Sequence, residues 1–215
     1  MVAGQTMYDN QGYQVALFPL AYIYISQGEN GSYSHQGILA IDFLGWGPTG
    51  RITHCPYYAP FDCKVVYHGS YYNVWQSLRE VHTPSGIKYV TFEVAHDEDL
   101  LPLGTTKLQG ELIGKTGVAG NVTGDHVHLN SAYGTYQGFY TVSSGKRQLV
   151  NSSHIYDTFY TNDTVIRHGY GYSWKQYNGG HTPDYRKYKF KWVLYADKLR
   201  KRNVTWHFFI YMIYK

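Results

Sequence analysis

Along the first 130 residues, apolar side chains come in short runs closed by glycine, proline or asparagine. Residues 20–26, 37–43, 63–67, 87–94, 111–115 and 126–130 are rich in β-branched and aromatic side chains and read as strands. Between them lie Gly28-Glu29-Asn30-Gly31, Thr83-Pro84-Ser85-Gly86 and residues 117–124, all dense in turn formers. Many short strands joined by glycine- and proline-containing turns predict a mainly β domain. Helices are expected at 194–202 and, shorter, at 153–159, and no internal repeat is present. Around Ser131 the strand pattern loosens into a tyrosine- and serine-rich stretch. We therefore expect one domain over residues 14–150. A C-terminal extension over 151–215 would be either a second module or part of the same domain.

Composition agrees with strands rather than helices. Of 215 residues, 16% are charged and 18% aromatic, with 24 tyrosines and 23 glycines, whereas helical domains are richer in Ala, Leu, Glu and Lys. A chain of this length can bury one sizeable core. The formal net charge of +4 suits an anionic partner as well as an ordinary surface. A basic run at 186–202 carries a single acid, Asp197. Two cysteines, Cys55 and Cys63, make no disulfide framework and are expected to be reduced. The N-terminus lacks a basic segment followed by an apolar run, so no secretory signal is expected. No stretch reaches the roughly 20 apolar residues that span a bilayer, which excludes stable transmembrane insertion by a helix. The run at 206–214 comes nearest.

Chemistry enters with three segments: Ser34-His35-Gln36-Gly37 continuing to Asp42, Val94-Ala95-His96, and Gly124-Asp125-His126-Val127-His128. On a strand, His126 and His128 share a face. Two imidazoles at one spot, with a third histidine and a carboxylate, match the donors that zinc takes. The set His35, Asp42 and His128 leaves a fourth position for water, as a catalytic site needs. His96 and His126 then remain for proton transfer or oxyanion stabilisation. Spacing alone supports a zinc site of this kind without assigning each ligand.

The stretch from Gly110 through Ile113-Gly114, the glycine-rich loop and Thr123-Gly124-Asp125-His126-Val127-His128 resembles the signature of lysostaphin-type (LytM-like) endopeptidases. Tyr58-Ala59-Pro60 before Lys64-Val65-Val66-Tyr67, and Val94-Ala95-His96, are similar to two further family segments in the same order. The resemblance covers roughly residues 18–131. It implies an antiparallel β-sheet core of the duplicated-hybrid-motif type whose groove receives a peptide. It also implies zinc ligands His35, Asp42 and His128, with His96 and His126 as the catalytic histidines. One spacing departs from the usual family pattern, where His and Asp are four apart. Here Asp42 follows His35 by seven, which on a continuous strand would place them on opposite faces, so a bulge or turn at Gln36-Gly37 is expected. The longer spacing is similar to that of virion-associated relatives and of D-Ala-D-Ala carboxypeptidases. The latter need a glutamate where this chain has Asp125, and the rest of their motif is missing.

The resemblance implies a zinc metallo-endopeptidase that hydrolyses amide bonds in the stems or cross-bridges of bacterial peptidoglycan. It would be phage-encoded as a tail-tip or lytic enzyme, with Gram-positive wall peptide as partner and other tail proteins as neighbours. Nucleic acid is not an expected partner. The chain would be virion-associated or released at host lysis, acting on the wall outside the cell. The alternative is a catalytically silent structural or wall-binding tail component with the same fold. His54, His68, His82, His154, His168, His181 and His207 lack partners at ligand spacing and read as surface or packing residues. Triplets headed by Asn30, Asn121, Asn151, Asn162 and Asn203 read as chance glycosylation matches.

Overall fold

The structure is a computed structural model that describes residues 1–160. The expected helix at 194–202, the basic run, the apolar end, His168, His181, His207, Asn162 and Asn203 lie outside the described residues. After an irregular arm come β1 (Ile25–Gln27) and β2 (Ile41–Phe43), then the tight hairpin of β3 (Trp46–Gly47) and β4 (Gly50–Arg51). β5 (Pro56–Tyr58) leads to the long hairpin of β6 (Cys63–His68) and β7 (Tyr72–Ser77). A side hairpin, β8 (Val81–Thr83) and β9 (Gly86–Lys88), precedes β10 (Val90–Ala95). β11 (Thr106–Lys107), β12 (Leu112–Lys115) and β13 (Val127–Tyr133) follow. The described chain ends with β14 (Phe139–Thr141), β15 (Arg147–Leu149), β16 (Ser152–Ser153) and α1 (Ile155–Thr158).

One antiparallel sheet organises these pieces, in the order β1-β2-β13-β10-β7-β6-β11, with β16 also pairing with β13. Period-two alternation divides its faces. Val90, Phe92 and Val94 of β10, Val127 and Leu129 of β13 and Trp75 of β7 enter the main core with Phe18, Phe43, Phe61 and Phe159. Phe61, Phe92 and Phe159 pack ring to ring at 5.7–6.4 Å, and each fully buried ring contributes roughly 2–3 kcal/mol. The opposite face carries Glu93, Ala95, His128 and Asn130. Part of that face is covered by a smaller cluster of Tyr72, Val74, Ala95, Ala132 and Leu149.

Several sequence expectations change in detail. The run 87–94 is two strands that separate at Tyr89, because β9 pairs with β8 while β10 lies between β7 and β13. Only residues 25–26 of the run 20–26, and 41–43 of the run 37–43, are in strands, β1 continuing to Gln27. β7 is absent from the expectations because Asn73 and Gln76 give it a polar reading. Both make tertiary hydrogen bonds, Asn73 Nδ2 donating to Leu101 O and Gln76 Oε1 accepting from Tyr136 N. The short helix within 153–159 is present as α1. Cys55 and Cys63 are both buried and free. Residues 152–160, beyond the expected division at 150, add β16 to the sheet and place Ile155 and Phe159 in the main core. No helix of the described residues is long and apolar enough to cross a membrane.

Candidate metal centre and catalytic groove

Register sets up the site. Gln27 pairs with Asp42, Asp42 with His128, His128 with Ala95 and Ala95 with Tyr72. Directly paired residues project from the same face, so this row crosses five strands at the usual spacing of about 4.8 Å each. Asp42 and His128 are consequently held side by side by backbone pairing alone. Their Oδ1 and Nδ1 atoms are 3.0 Å apart.

His35 arrives from a turn rather than a strand, which resolves the seven-residue spacing. Gly37 adopts φ +81°, a left-handed conformation that favours glycine, and Ile38 N donates to His35 O. Asn30 Oδ1 accepts from Gly37 N and closes the same loop. His35 Nδ1 meets the carbonyl of Gly28 at 3.0 Å. A carbonyl only accepts, so Nδ1 carries the proton and Nε2 presents its lone pair to the site. Nε2 lies 3.2 Å from both Asp42 Oδ1 and His128 Nδ1.

Three donor atoms of the types zinc prefers thus turn to one point, at mutual separations of 3.0–3.2 Å. With bonds near 2.0–2.1 Å, a tetrahedral site needs neighbouring donors about 3.3 Å apart, so the set fits zinc with little adjustment. Gln27, which sequence reasoning did not single out as part of the site, holds the second oxygen of Asp42. Its Nε2 donates to Oδ2 at 2.9 Å, while its Oε1 accepts from Ser34 N. Such outer partners orient a ligand and tune its basicity. A second strap is the 2.6 Å contact between His154 Nδ1 and buried Glu29, which ties the His35 loop to the start of α1.

His96 and His126 border this cluster. His96 ends β10 in a left-handed conformation, φ 78°, which is strained for a residue with a side chain. Its ring lies parallel to Tyr71 and 4.5 Å, centroid to centroid, from His126. His96 Nδ1 donates to Ala119 O and His126 Nδ1 to Gly124 O. Both rings therefore keep Nε2 as an acceptor, and that of His126 lies 3.8 Å from Asp42 Oδ1. The glycine-rich motif acquires a steric reason at Gly117. A Cβ there would come within 2.3 Å of the carbonyl oxygen of His96, yet Gly117 must pair with His126 to close the loop.

Electrostatics follow the same geometry. Burial works against a charged Asp42, but hydrogen bonds and charge from His128 and His35 hold its carboxyl well below the usual range. Burial also opposes a charged His128, and the Asp42 hydrogen bond, with the charges of Asp42 and Glu93, raises its pKa nevertheless. Desolvation, with the neighbouring His126 and His128, lowers His96 to about 4, so it is neutral near pH 7. Asp125, three residues before His128, is occupied structurally. Its oxygens accept from Thr116 Oγ1 and His54 N.

The structure brings all five sequence-selected residues together at a groove of about 810 Å³, four of them lining it and His35 beneath. Asn121 and Thr123 of the glycine-rich segment also line it, as do Arg51 and Tyr33, which no motif announced. Of the remaining described histidines, His82 and His154 pair with Asp9 and Glu29. His54 lies near Glu98 and Asp125.

No family model matches the chain. It is 45% identical over 170 residues to morphogenesis protein 1 of Bacillus phage B103, a match that covers 76% of this chain and 45% of that protein. The chain thus spans less than half the length of this curated relative. Among solved structures it is similar to a zinc-containing peptidase from Vibrio cholerae, with 21% identity and a TM-score of 0.42, covering 59% of this chain and 40% of that one. It is also similar to Helicobacter pylori Csd3, with 18% identity and a TM-score of 0.37, covering 60% and 35%. In sequence, the chain is a homologue of a phage morphogenesis protein, and its mainly β fold is the antiparallel sheet to which its lysostaphin-like motifs point.

Proposed function

We propose that this chain is a zinc-dependent endopeptidase that hydrolyses amide bonds in the peptide stems or cross-bridges of bacterial peptidoglycan. The observation that carries the reading is the convergence of His35 Nε2, Asp42 Oδ1 and His128 Nδ1 beside two histidines whose Nε2 atoms remain acceptors. These three side chains would hold the metal. Bound zinc supplies Lewis acidity and a water that ionises near neutral pH. His96, neutral and fixed by Ala119, takes a proton at Nε2 and can return it to a leaving amine. His126, fixed by Gly124 and 4.5 Å from His96 between ring centroids, can do the same, and either ring once protonated offers an N–H to a developing oxyanion. The groove accepts an extended peptide, with Tyr33, Asn121 and Thr123 available to its backbone.

Homology to a phage morphogenesis protein supports a virion-associated setting, at the tail or at host lysis. The same name supports a second reading, a structural or wall-binding tail component that keeps the fold without turnover. We assign the catalytic unit to residues 14–150 together with the core-forming segment to 160, and residues 161–215 to an extension.

Zinc content and turbidity clearing of purified Gram-positive walls, for the native chain and His128→Ala, decide between the readings. One zinc per chain, with clearing and amine release that stop in the variant, is the expected result. Zinc without cleavage across several bridge chemistries would favour the structural component.

A further inference from the structure

Apart from histidines, three charged side chains among the described residues line the groove: Asp42, Asp125 and Arg51. Asp42 is turned to His35 and His128, and both oxygens of Asp125 are engaged by Thr116 and His54. Neither acid is turned toward a groove occupant. Arg51 differs. Its Nη2 donates to the backbone carbonyl of Asp125, and among the described residues no carboxylate pairs with it. One of five guanidinium N–H groups is thereby used, and the others remain for a ligand.

The position is built rather than accidental. Arg51 pairs with Trp46 across the β3–β4 hairpin, and Trp46 stacks on Tyr24 at 4.0 Å with ring planes 12° apart. The bond to Asp125 O anchors the guanidinium one residue before His126. A cation fixed at the wall of a groove, without an internal counter-charge, is an uncompensated electrostatic feature. A bidentate fork of this shape matches a carboxylate better than a neutral amide. A divalent cation at the three donors would make the groove more positive still and strengthen its attraction for an anion.

We infer that Arg51 reads a free carboxylate on the peptide in the groove, so that the protein selects acidic over amidated peptides. This deepens the peptidase reading and rests on it.

The test uses the wall stem tetrapeptide L-Ala-γ-D-Glu-meso-diaminopimelate-D-Ala and three versions, each with one carboxylate amidated. Binding of the four probes to the zinc-loaded full chain is measured by calorimetry for the native protein, Arg51→Gln and Arg51→Lys. One amidation should weaken binding to the native protein about tenfold, and that arm identifies the carboxylate. Arg51→Gln should bind the free acid as weakly as the amide, and Arg51→Lys should keep only part of the preference. The preference should shrink as salt rises. The inference is overturned if no single amidation matters, if none of the probes binds, or if Arg51→Gln weakens acid and amide forms equally. The last outcome would make Arg51 a brace for the Asp125 loop. Wall clearing by the native chain is scored separately: discrimination without cleavage would sink the peptidase reading and leave the carboxylate site standing.

Discussion

Asp42 and His128 face each other directly across β2 and β13, with 3.0 Å between Oδ1 and Nδ1. Strand pairing positions both before any ion binds, and only His35 must be delivered by a loop. Asp42→Asn keeps the shape but removes the charge, and should weaken zinc binding by more than about 100-fold. Gln27→Ala removes only the outer hydrogen bond and should cost about tenfold. Chelator competition measures both. Native-like zinc affinity in Asp42→Asn would remove Asp42 from the ligand set.

His96→Ala and His126→Ala should retain zinc while wall cleavage falls by about 10²–10⁴-fold, the usual worth of a positioned acid or base. Because His96 lies near 4, an acidic fall in activity at pH 6–7 should persist unchanged in any variant that alters His96 alone but still turns over. Loss of zinc in His96→Ala would instead make that residue part of the metal site.

Tyr57 gives a pH dependence away from the metal donors. Its hydroxyl is fully buried and donates to Asp97 Oδ2 at 3.0 Å. Burial and the Asp97 charge push its pKa well above the ordinary value of 10.0. The unfolded chain therefore loses this proton first as pH rises through about 10, while the folded chain keeps it. The Tyr57 contribution to stability is complete below pH 10 and is lost above it. Denaturant titrations from pH 8 to 11 should show the decline, and Tyr57→Phe should flatten it. An unchanged slope in that variant would place the alkaline sensitivity elsewhere.

Phe159 tests whether the segment after residue 150 is part of the core. It is 1% exposed and packs on Phe18, Phe61 and Phe92. Phe159→Ala should destabilise the whole domain by about 3–5 kcal/mol. A variant that melts like the native chain would show that the first domain stands without it.

The β class and the five residues of the candidate centre were legible early for one reason. His35, Asp42, His96, His126 and His128 sit in segments whose glycines and alternating apolar neighbours mark turns and strands locally. The Gly37 turn was legible too, because an odd offset on a single face demands a break and only glycine enters the left-handed region freely. β7 was not visible, since Asn73 and Gln76 look exposed until Leu101 and Tyr136 supply their hydrogen bonds from 28 and 60 residues away. The same holds for Glu29, which read as a turn residue until His154 came within reach, for Gln27, whose hydrogen bond to Asp42 no local pattern shows, and for Arg51, whose importance depends on which charges it does not meet. Sequence by itself determined the strand-rich class and the motif, because these depend on side-chain type and on spacing over a few residues, whereas the donor set His35, Asp42 and His128 was implied by the resemblance and not by spacing. Register, the buried partners and the groove were decided only by tertiary structure, because they depend on contacts between segments far apart in the chain, whose pairing no local pattern encodes.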